Sequence, residues 1–219
     1  MNTLKINGIN KDIAVGKILC IGRNYEEHIK EMKAKIPEEP VIFLKPASSV
    51  VRNGEPIWYP PFSSDLQHEV ELVIVIGKEG KNIPQEDAYE YVLGYAVGLD
   101  MTLRDVQSKA KKEGLPWTIA KGFDTSAPVS DIILKEKIPN PQNLIITCSV
   151  NGSIRQKSST KNMISPVDKI ISQISKFFTL EKGDLIFTGT PEGISSVHVG
   201  DVIDIEITGY IKSSHKVIK

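Results

Sequence analysis

The segment that most narrows what this chain can fold into is Glu69-Val70-Glu71-Leu72-Val73-Ile74-Val75-Ile76-Gly77. Read as a strand, it sends Val70, Leu72, Ile74 and Ile76 to one face, and Glu69, Glu71, Val73 and Val75 to the other. Beyond Glu71 both faces are apolar, so the strand must be covered on both sides. The two glutamates share a face, with Cα atoms about 6.6 Å apart over two residue rises. They head towards an interior where like charges repel and desolvation is costly. A bound hard cation with oxygen ligands would keep both ionised. A solvent-facing strand end with two ordinary surface glutamates is the other reading of the same spacing.

Short β-branched runs dominate the rest of the chain: Lys17–Ile21, Val41–Leu44, Val92–Leu99, Leu144–Val150, Leu185–Thr188 and Val202–Ile207. Asn151-Gly152 after Val150 predicts a tight hairpin. The proline-bearing stretch Pro46–Leu66 reads as a functional loop or a short hairpin. Ser165 and Pro166 open a helix as N-cap and N1, with Val167, Ile170, Ile171, Ile174, Phe177 and Phe178 at helical spacing. Thr102 and Asp105 resemble a capping box ahead of a polar helix that ends at Gly114. A charged helix over Tyr25–Lys35 follows the Gly22-Arg23-Asn24 turn, and Pro84 leads another through Tyr91. Strands outnumbering helices without steady βαβ alternation indicate an α+β fold, and 219 residues suit one domain over residues 1–219.

Several function classes drop out. With 27 basic and 27 acidic residues, the chain has no electrostatic footprint for nucleic acid or an anionic membrane. No phosphate loop, dinucleotide fingerprint or Gly-x-Ser-x-Gly elbow occurs. No stretch approaches the ~20 apolar residues of a membrane span. Met1–Ile6 lacks the apolar region of a secretory signal, so a cytoplasmic location is expected. Cys20 and Cys148 lie in apolar runs and read as buried free thiols.

A third acid stands in a setting as odd as that of the two glutamates. Asp100 ends the apolar run Val92–Leu99 just before a helix; with Thr102 as N-cap, it is left without a capping role. His28 and Glu31 are spaced i, i+3 on one helix face, where a carboxylate can fix the imidazole tautomer for a general base. A solvated helix bearing an idle histidine has the same spacing. Lys121 is an isolated cation in Trp117–Asp124; it either stabilises an oxyanion or snorkels to the surface. The turn Thr188–Gly193 could present backbone N–H groups to an anion. Lys45 and His68 are ambiguous.

Taken in order, the chain's motifs resemble the fumarylacetoacetate hydrolase superfamily, in its short acylpyruvase and oxaloacetate decarboxylase branch. They are Gly22-Arg23-Asn24-Tyr25-x-x-His28-x-x-Glu31, Phe43-Leu44-Lys45-Pro46, His68-Glu69-Val70-Glu71-Leu72, Gly94-Tyr95 through Thr102, Arg104-Asp105-x-Gln107, Leu115-Pro116-Trp117-x-x-Ala120-Lys121 and Gly183-Asp184 through Gly193. The resemblance implies a β-rich α+β fold of layered mixed sheets around a metal site, usually a homodimer. It implies Mg2+ or Mn2+ on Glu69, Glu71 and Asp100, and a lid helix at about 24–36 carrying His28 and Glu31. Lys121 joins that pair as a third catalytic position, and Arg23, Arg104, Gln107 and Thr190 fall on substrate-lining positions.

The activity so implied acts on a small 2-oxo acid, with no nucleic-acid or membrane partner. A 3-acylpyruvate would chelate the metal, and the His28–Glu31 pair would activate a water to cleave its C–C bond, giving pyruvate and a carboxylic acid. The metal and Lys121 would stabilise the pyruvate enolate. Oxaloacetate decarboxylation or tautomerisation, and hydroxymuconate- or hydroxyheptadienedioate-type isomerisation and decarboxylation, share that enolate and remain alternatives. The His28–Glu31 pair favours hydrolysis. The non-enzymatic alternative is an inactive small-molecule-binding homologue.

Overall fold

A computed structural model of the chain describes residues 2–33 and 39–219. The strand Val70–Ile76 is buried at every position, as two apolar faces require. It lies antiparallel between Leu185–Phe187 and Val92–Leu99 in the middle of a mixed eight-stranded sheet. The sheet continues outward through Ile18–Gly22 to Val41–Lys45 on one side, and through Ala127–Val129 to Val50–Arg52 on the other. A five-stranded sheet in the order Ser153–Ser159, Ile145–Val150, Val202–Ile207, Ile211–Ile218, Ile57–Trp58 faces it. Leu72, Ile74 and Ile76 share a core with Ile146, Cys148, Ile203 and Ile205, and with Val167, Ile170 and Ile174 of the helix Val167–Phe177. Val73 and Val75 enter a second core with Leu4, Ile13, Ile18, Cys20 and Ile132. Each such buried aliphatic side chain contributes roughly 1.5–3 kcal/mol. The two-faced strand therefore binds the layers together.

The Asn151-Gly152 hairpin forms as expected, pairing Val150 with Ser153. Pro46–Leu66 carries no hairpin. Its short strands Val50–Arg52 and Ile57–Trp58 pair with Ala127–Val129 and Ile211–Ile218 respectively, so the segment ties the two sheets together. The helix expected from Pro166 begins at Val167; Pro166 is extended and Ser165 does not cap it. Ser165 instead donates its N–H to Asn24 Oδ1, and Gln142 Oε1 accepts the N–H of Val167.

The polar helix Arg104–Glu113 does end at Gly114, in the left-handed conformation a glycine favours. Its N-cap is Leu103, and Thr102 is not a cap at all. The Thr102 hydroxyl donates to Asp100 O, and Asp105 binds Ser63 and Ser64. Gln85–Tyr91 is a tight 3-10 run. The charged helix spans Glu26–Glu31; residues 34–36 of the expected lid helix lie outside the described residues. Both cysteines are free and buried. No helix among the described residues is long and apolar enough to cross a membrane.

Candidate metal centre

Glu69 occupies the one-residue gap between the strands Leu66–His68 and Val70–Ile76, and Asp100 directly follows Val92–Leu99. Antiparallel pairing of Val70 with Leu99 sets the two acids side by side, and the Asp100 N–H donates to Glu69 O at 2.8 Å. Glu71 lies one residue further along, opposite Gly98. A Cβ on Gly98 would lie 2.8 Å from both Phe187 Cε1 and Val73 Cγ2, so the close packing beside Glu71 requires glycine. Carboxylate oxygens of Glu69, Glu71 and Asp100 approach within 4.8 Å of one another, and all three residues are buried. Among the described residues, no other three His, Cys, Asp or Glu side chains meet this way.

Cations surround two of the acids and leave out the third. Lys121 Nζ donates to Glu69 Oε2 at 2.8 Å, Asp100 Oδ2 at 2.6 Å and Thr102 Oγ1 at 2.6 Å. Arg104 pairs with the other oxygen of Glu69. Burial disfavours the charged form of Glu69, but Lys121, Arg104 and His28 outweigh it and hold the carboxyl well below the usual range. Among the described residues Glu71 accepts only the Gly189 N–H, at 2.6 Å. Gly189 has φ +94° and its Cβ would meet Asn24 Cβ at 2.6 Å, so this donor too depends on glycine. Burial first, then the charges of Asp100 and Glu69, push Glu71 well above the carboxylate range.

Lys45 Nζ lies 2.9 Å from Asp100 Oδ1. However, its three protons go to the carbonyls of Met101, Ser126 and Lys121, and Asp100 Oδ1 receives no hydrogen bond. A buried carboxylate oxygen with no hydrogen bond, beside a second carboxylate that has no cationic partner among the described residues, fits a hard dication, and the all-oxygen donor set suits Mg2+ or Mn2+.

These acids open onto a cavity of about 320 Å³. Of the ten residues singled out from sequence, all but Glu31 line it: Arg23, His28, Glu69, Glu71, Asp100, Arg104, Gln107, Lys121 and Thr190. Glu31 acts behind His28, its Oε2 at 3.1 Å from His28 Nδ1 and its Oε1 accepting the Gly193 N–H at 3.0 Å. His28 is buried rather than solvated. Gln107 Oε1 accepts from Arg104 Nη1 at 2.7 Å. Arg23 holds a left-handed backbone, φ 67°, which a non-glycine residue adopts only at a cost of about 1 kcal/mol or more. An adjoining, larger cavity along Val41–Ala47 and Leu115–Thr118 is mostly apolar and holds no acid.

Three readings change with the geometry. Lys121 does not snorkel; it is 3 % exposed and ion-paired. Within the Thr188–Gly193 turn, the Gly189 and Gly193 N–H groups bind the protein's own Glu71 and Glu31, and the Thr188 N–H goes to Leu72 O, so these three are not free for an anion. Asp100 joins the acids through strand pairing alone, since Thr102 caps no helix and frees it from nothing.

Sequence reasoning missed Lys111 and Gln156 and left Lys45 undecided. Lys111 lines the cavity rim; partial burial first, then Arg104 and Arg23, push its pKa down to about 8. Its only sequence signal is its place in the last turn of the helix that Arg104 begins. Neither Arg23 nor Lys111 has an acid within salt-bridge distance among the described residues.

The family model for the C-terminal region of fumarylacetoacetate hydrolase matches residues 17–218. The chain belongs to the fumarylacetoacetate hydrolase family. Within this family it is 48 % identical, over 92 % of its length and 91 % of the relative's, to the mitochondrial oxaloacetate tautomerase FAHD1 of Homo sapiens. It is 52 % identical to the mitochondrial oxaloacetate decarboxylase of Dictyostelium discoideum, over 88 % and 89 % of the two chains. Among solved structures it resembles the fumarylpyruvate hydrolase of Pseudomonas aeruginosa, crystallised with Mn2+ and pyruvate. The TM-score there is 0.95 at 40 % identity, covering 99 % of this chain and 95 % of that one. The β-rich α+β fold expected from sequence is the fold of this family.

Proposed function

We propose that this chain enolises a small 2-oxo acid on a divalent cation held by Glu69, Glu71 and Asp100, with oxaloacetate as its substrate. The observation that carries the proposal is the buried acid triad, with Glu71 lacking a cation within salt-bridge distance among the described residues, opening onto a cavity that also presents Arg23 and Lys111, which pair with no acid among those residues. A cation bound there would act as a Lewis acid on the 2-oxo group.

The chain's own residues account for the remaining work. Arg23 and Lys111 attract and orient a carboxylate at the cavity rim. Lys121, whose three protons go to Glu69, Asp100 and Thr102, places its positive charge beside the oxygen on which charge develops. His28 gives its Nδ1–H to Glu31, which leaves Nε2 as the basic nitrogen to accept a proton from C3. Returning that proton to carbon or oxygen interconverts keto and enol forms; decarboxylation starts instead from the keto form, where the C3–C4 bond breaks, CO2 leaves, its electron pair passes into the 2-oxo group, and the pyruvate enolate then takes a proton at C3. The 48 % and 52 % identities to an oxaloacetate tautomerase and an oxaloacetate decarboxylase support this choice of substrate.

A second reading, hydrolysis of 3-acylpyruvates, draws on the same His28–Glu31 pair, because an oriented imidazole can equally activate water. A kinetic panel of oxaloacetate, acylpyruvates and hydroxymuconate-type diacids, with Mg2+ or Mn2+ and with excess chelator, separates the readings. Chelator-sensitive turnover of oxaloacetate above the others is expected. Preference for acylpyruvates would favour hydrolysis, and turnover undiminished by chelator would refute the metal assignment.

A further inference from the structure

Gln156 is buried between the strand that carries the metal-site acids and the turn that carries Thr190, and it bonds to both. Its Oε1 accepts the Val70 N–H at 3.0 Å and lies 2.9 Å from His68 Nδ1. Its Nε2 donates to Pro191 O and to Thr190 Oγ1, both at 2.8 Å. Two of these partners are backbone groups whose polarity cannot change: Val70 N–H only donates and Pro191 C=O only accepts. They fix which end of the amide is oxygen, and that choice propagates. His68 must carry its proton on Nδ1, and its Nε2 therefore accepts from Ser195 Oγ at 2.9 Å.

The same logic reaches the cavity. Thr190 lines it and has one hydroxyl proton. Since the hydroxyl oxygen already accepts from Gln156, that proton is directed elsewhere; its only intramolecular acceptor among the described residues, Pro191 O, is a marginal 3.5 Å away. We propose that Gln156 is a positioning residue that sets Thr190 as a hydrogen-bond donor into the cavity, aimed at an anionic oxygen of the substrate. The inference rests on the cavity binding a 2-oxo acid, but the residue and the polarity relay lie outside that reading.

The register of the neighbouring strands shows how the chain brings the amide there. Pairing between Ile145–Val150 and Ser153–Ser159 shifts between Cys148 and Ser149, where a bulge leaves Cys148 opposite Gln156 and Ser149 opposite Ile154. Gln156 is buried while its neighbours Arg155 and Lys157 are exposed, so the strand turns a polar side chain inward where most strands turn an aliphatic one.

Gln156→Glu tests the relay, because a carboxylate cannot donate and instead draws the Thr190 proton towards itself. Steady-state kinetics with oxaloacetate and saturating Mn2+ would compare wild type, Gln156→Glu, Thr190→Val and the double variant. Losing a hydrogen bond to a charged oxygen predicts roughly a ten- to hundredfold fall in kcat/KM, mainly through KM, for each single variant. The double variant is expected to be no worse than Thr190→Val. Gln156→Met, which neither donates nor accepts strongly, should retain more activity than Gln156→Glu at equal or lower thermal stability.

Full additivity of the Gln156→Glu and Thr190→Val effects would overturn the proposal and leave Gln156 merely structural. So would activity losses that follow melting temperature across wild type, Gln156→Glu and Gln156→Met. A wild type that turns over no 2-oxo acid would instead overturn the functional reading and the donor role with it.

Discussion

Two buried polar groups in this molecule look alike in composition and differ in closure. In the five-stranded sheet, His215 and Ser213 point inward from Ile211–Ile218. His215 Nδ1 donates to Glu55 O at 3.0 Å, its Nε2 accepts from Ser213 Oγ at 2.7 Å, and Asn53 Oδ1 accepts the Ser214 N–H. Burial keeps His215 neutral, and no ionised side chain is required. The acid triad is buried just as deeply but does not close: Asp100 Oδ1 has the Lys45 charge at 2.9 Å without a hydrogen bond, and among the described residues Glu71 has no cation within salt-bridge distance. Burial of polar groups is therefore an ordinary feature of this fold. The unmet demand for positive charge is what marks the triad as a site.

Substitutions on each side of this contrast should separate function from stability. Glu71→Gln keeps the Gly189 hydrogen bond and removes a carboxylate that burial and its neighbours already disfavour. Metal-dependent activity should fall on the order of a thousandfold, since several kcal/mol of Lewis-acid stabilisation depend on the ligand. The metal-free variant should melt no lower than the metal-free wild type, as differential scanning calorimetry can show. A lower melting temperature would mean that the triad is a structural ion network after all. His28→Ala should cost roughly a hundred- to ten-thousandfold in kcat, with metal affinity measured by titration unchanged.

Lys111→Met is expected to raise KM for a dianionic substrate about three- to fivefold, the worth of a partly exposed charge. The sign of its pH dependence follows from the lowered pKa. Lys111 is cationic below about 8 and neutral above, so in the wild type KM should rise as pH climbs through that value. The Lys111→Met profile should stay flat there. His215→Ala, on the closed side of the comparison, should lower the unfolding free energy by about 1–3 kcal/mol in urea titrations and leave kcat/KM unchanged.

The parts of this picture legible in sequence are those where inward residues are apolar. Val70–Ile76 and Val92–Leu99 announce themselves because, Glu71 apart, no charged side chain interrupts their buried faces. Ile211–Ile218 does not, and Ser153–Ser159 is signalled only by its hairpin turn, because His215 and Gln156 point inward and are satisfied by partners 34 to 160 residues away. Such pairing cannot be seen from local periodicity.

Pro46–Leu66 hid two strands for a related reason. Runs of two and three residues, paired to different sheets, leave no period to detect. At the site, motif spacing selects Glu69, Glu71, Asp100, His28 and Glu31. Lys111 and Gln156 carry no motif, and they acquire their roles, as Lys45 does, only through contacts. Asp100 joins the acid cluster for a different reason than its sequence neighbours suggest. Thr102 does not free it by capping a helix; it bonds to Lys121 and to Asp100 itself.

The central claim is that the three acids jointly hold one hard dication on which turnover depends. Mn2+ titration of the chelator-stripped protein, followed calorimetrically alongside oxaloacetate turnover, tests it most directly. One Mn2+ per chain, with activity rising in step with occupancy and both lost in Glu71→Gln, is the expected result. Full activity in the stripped protein, or Mn2+ binding that survives Glu71→Gln unchanged, would contradict it.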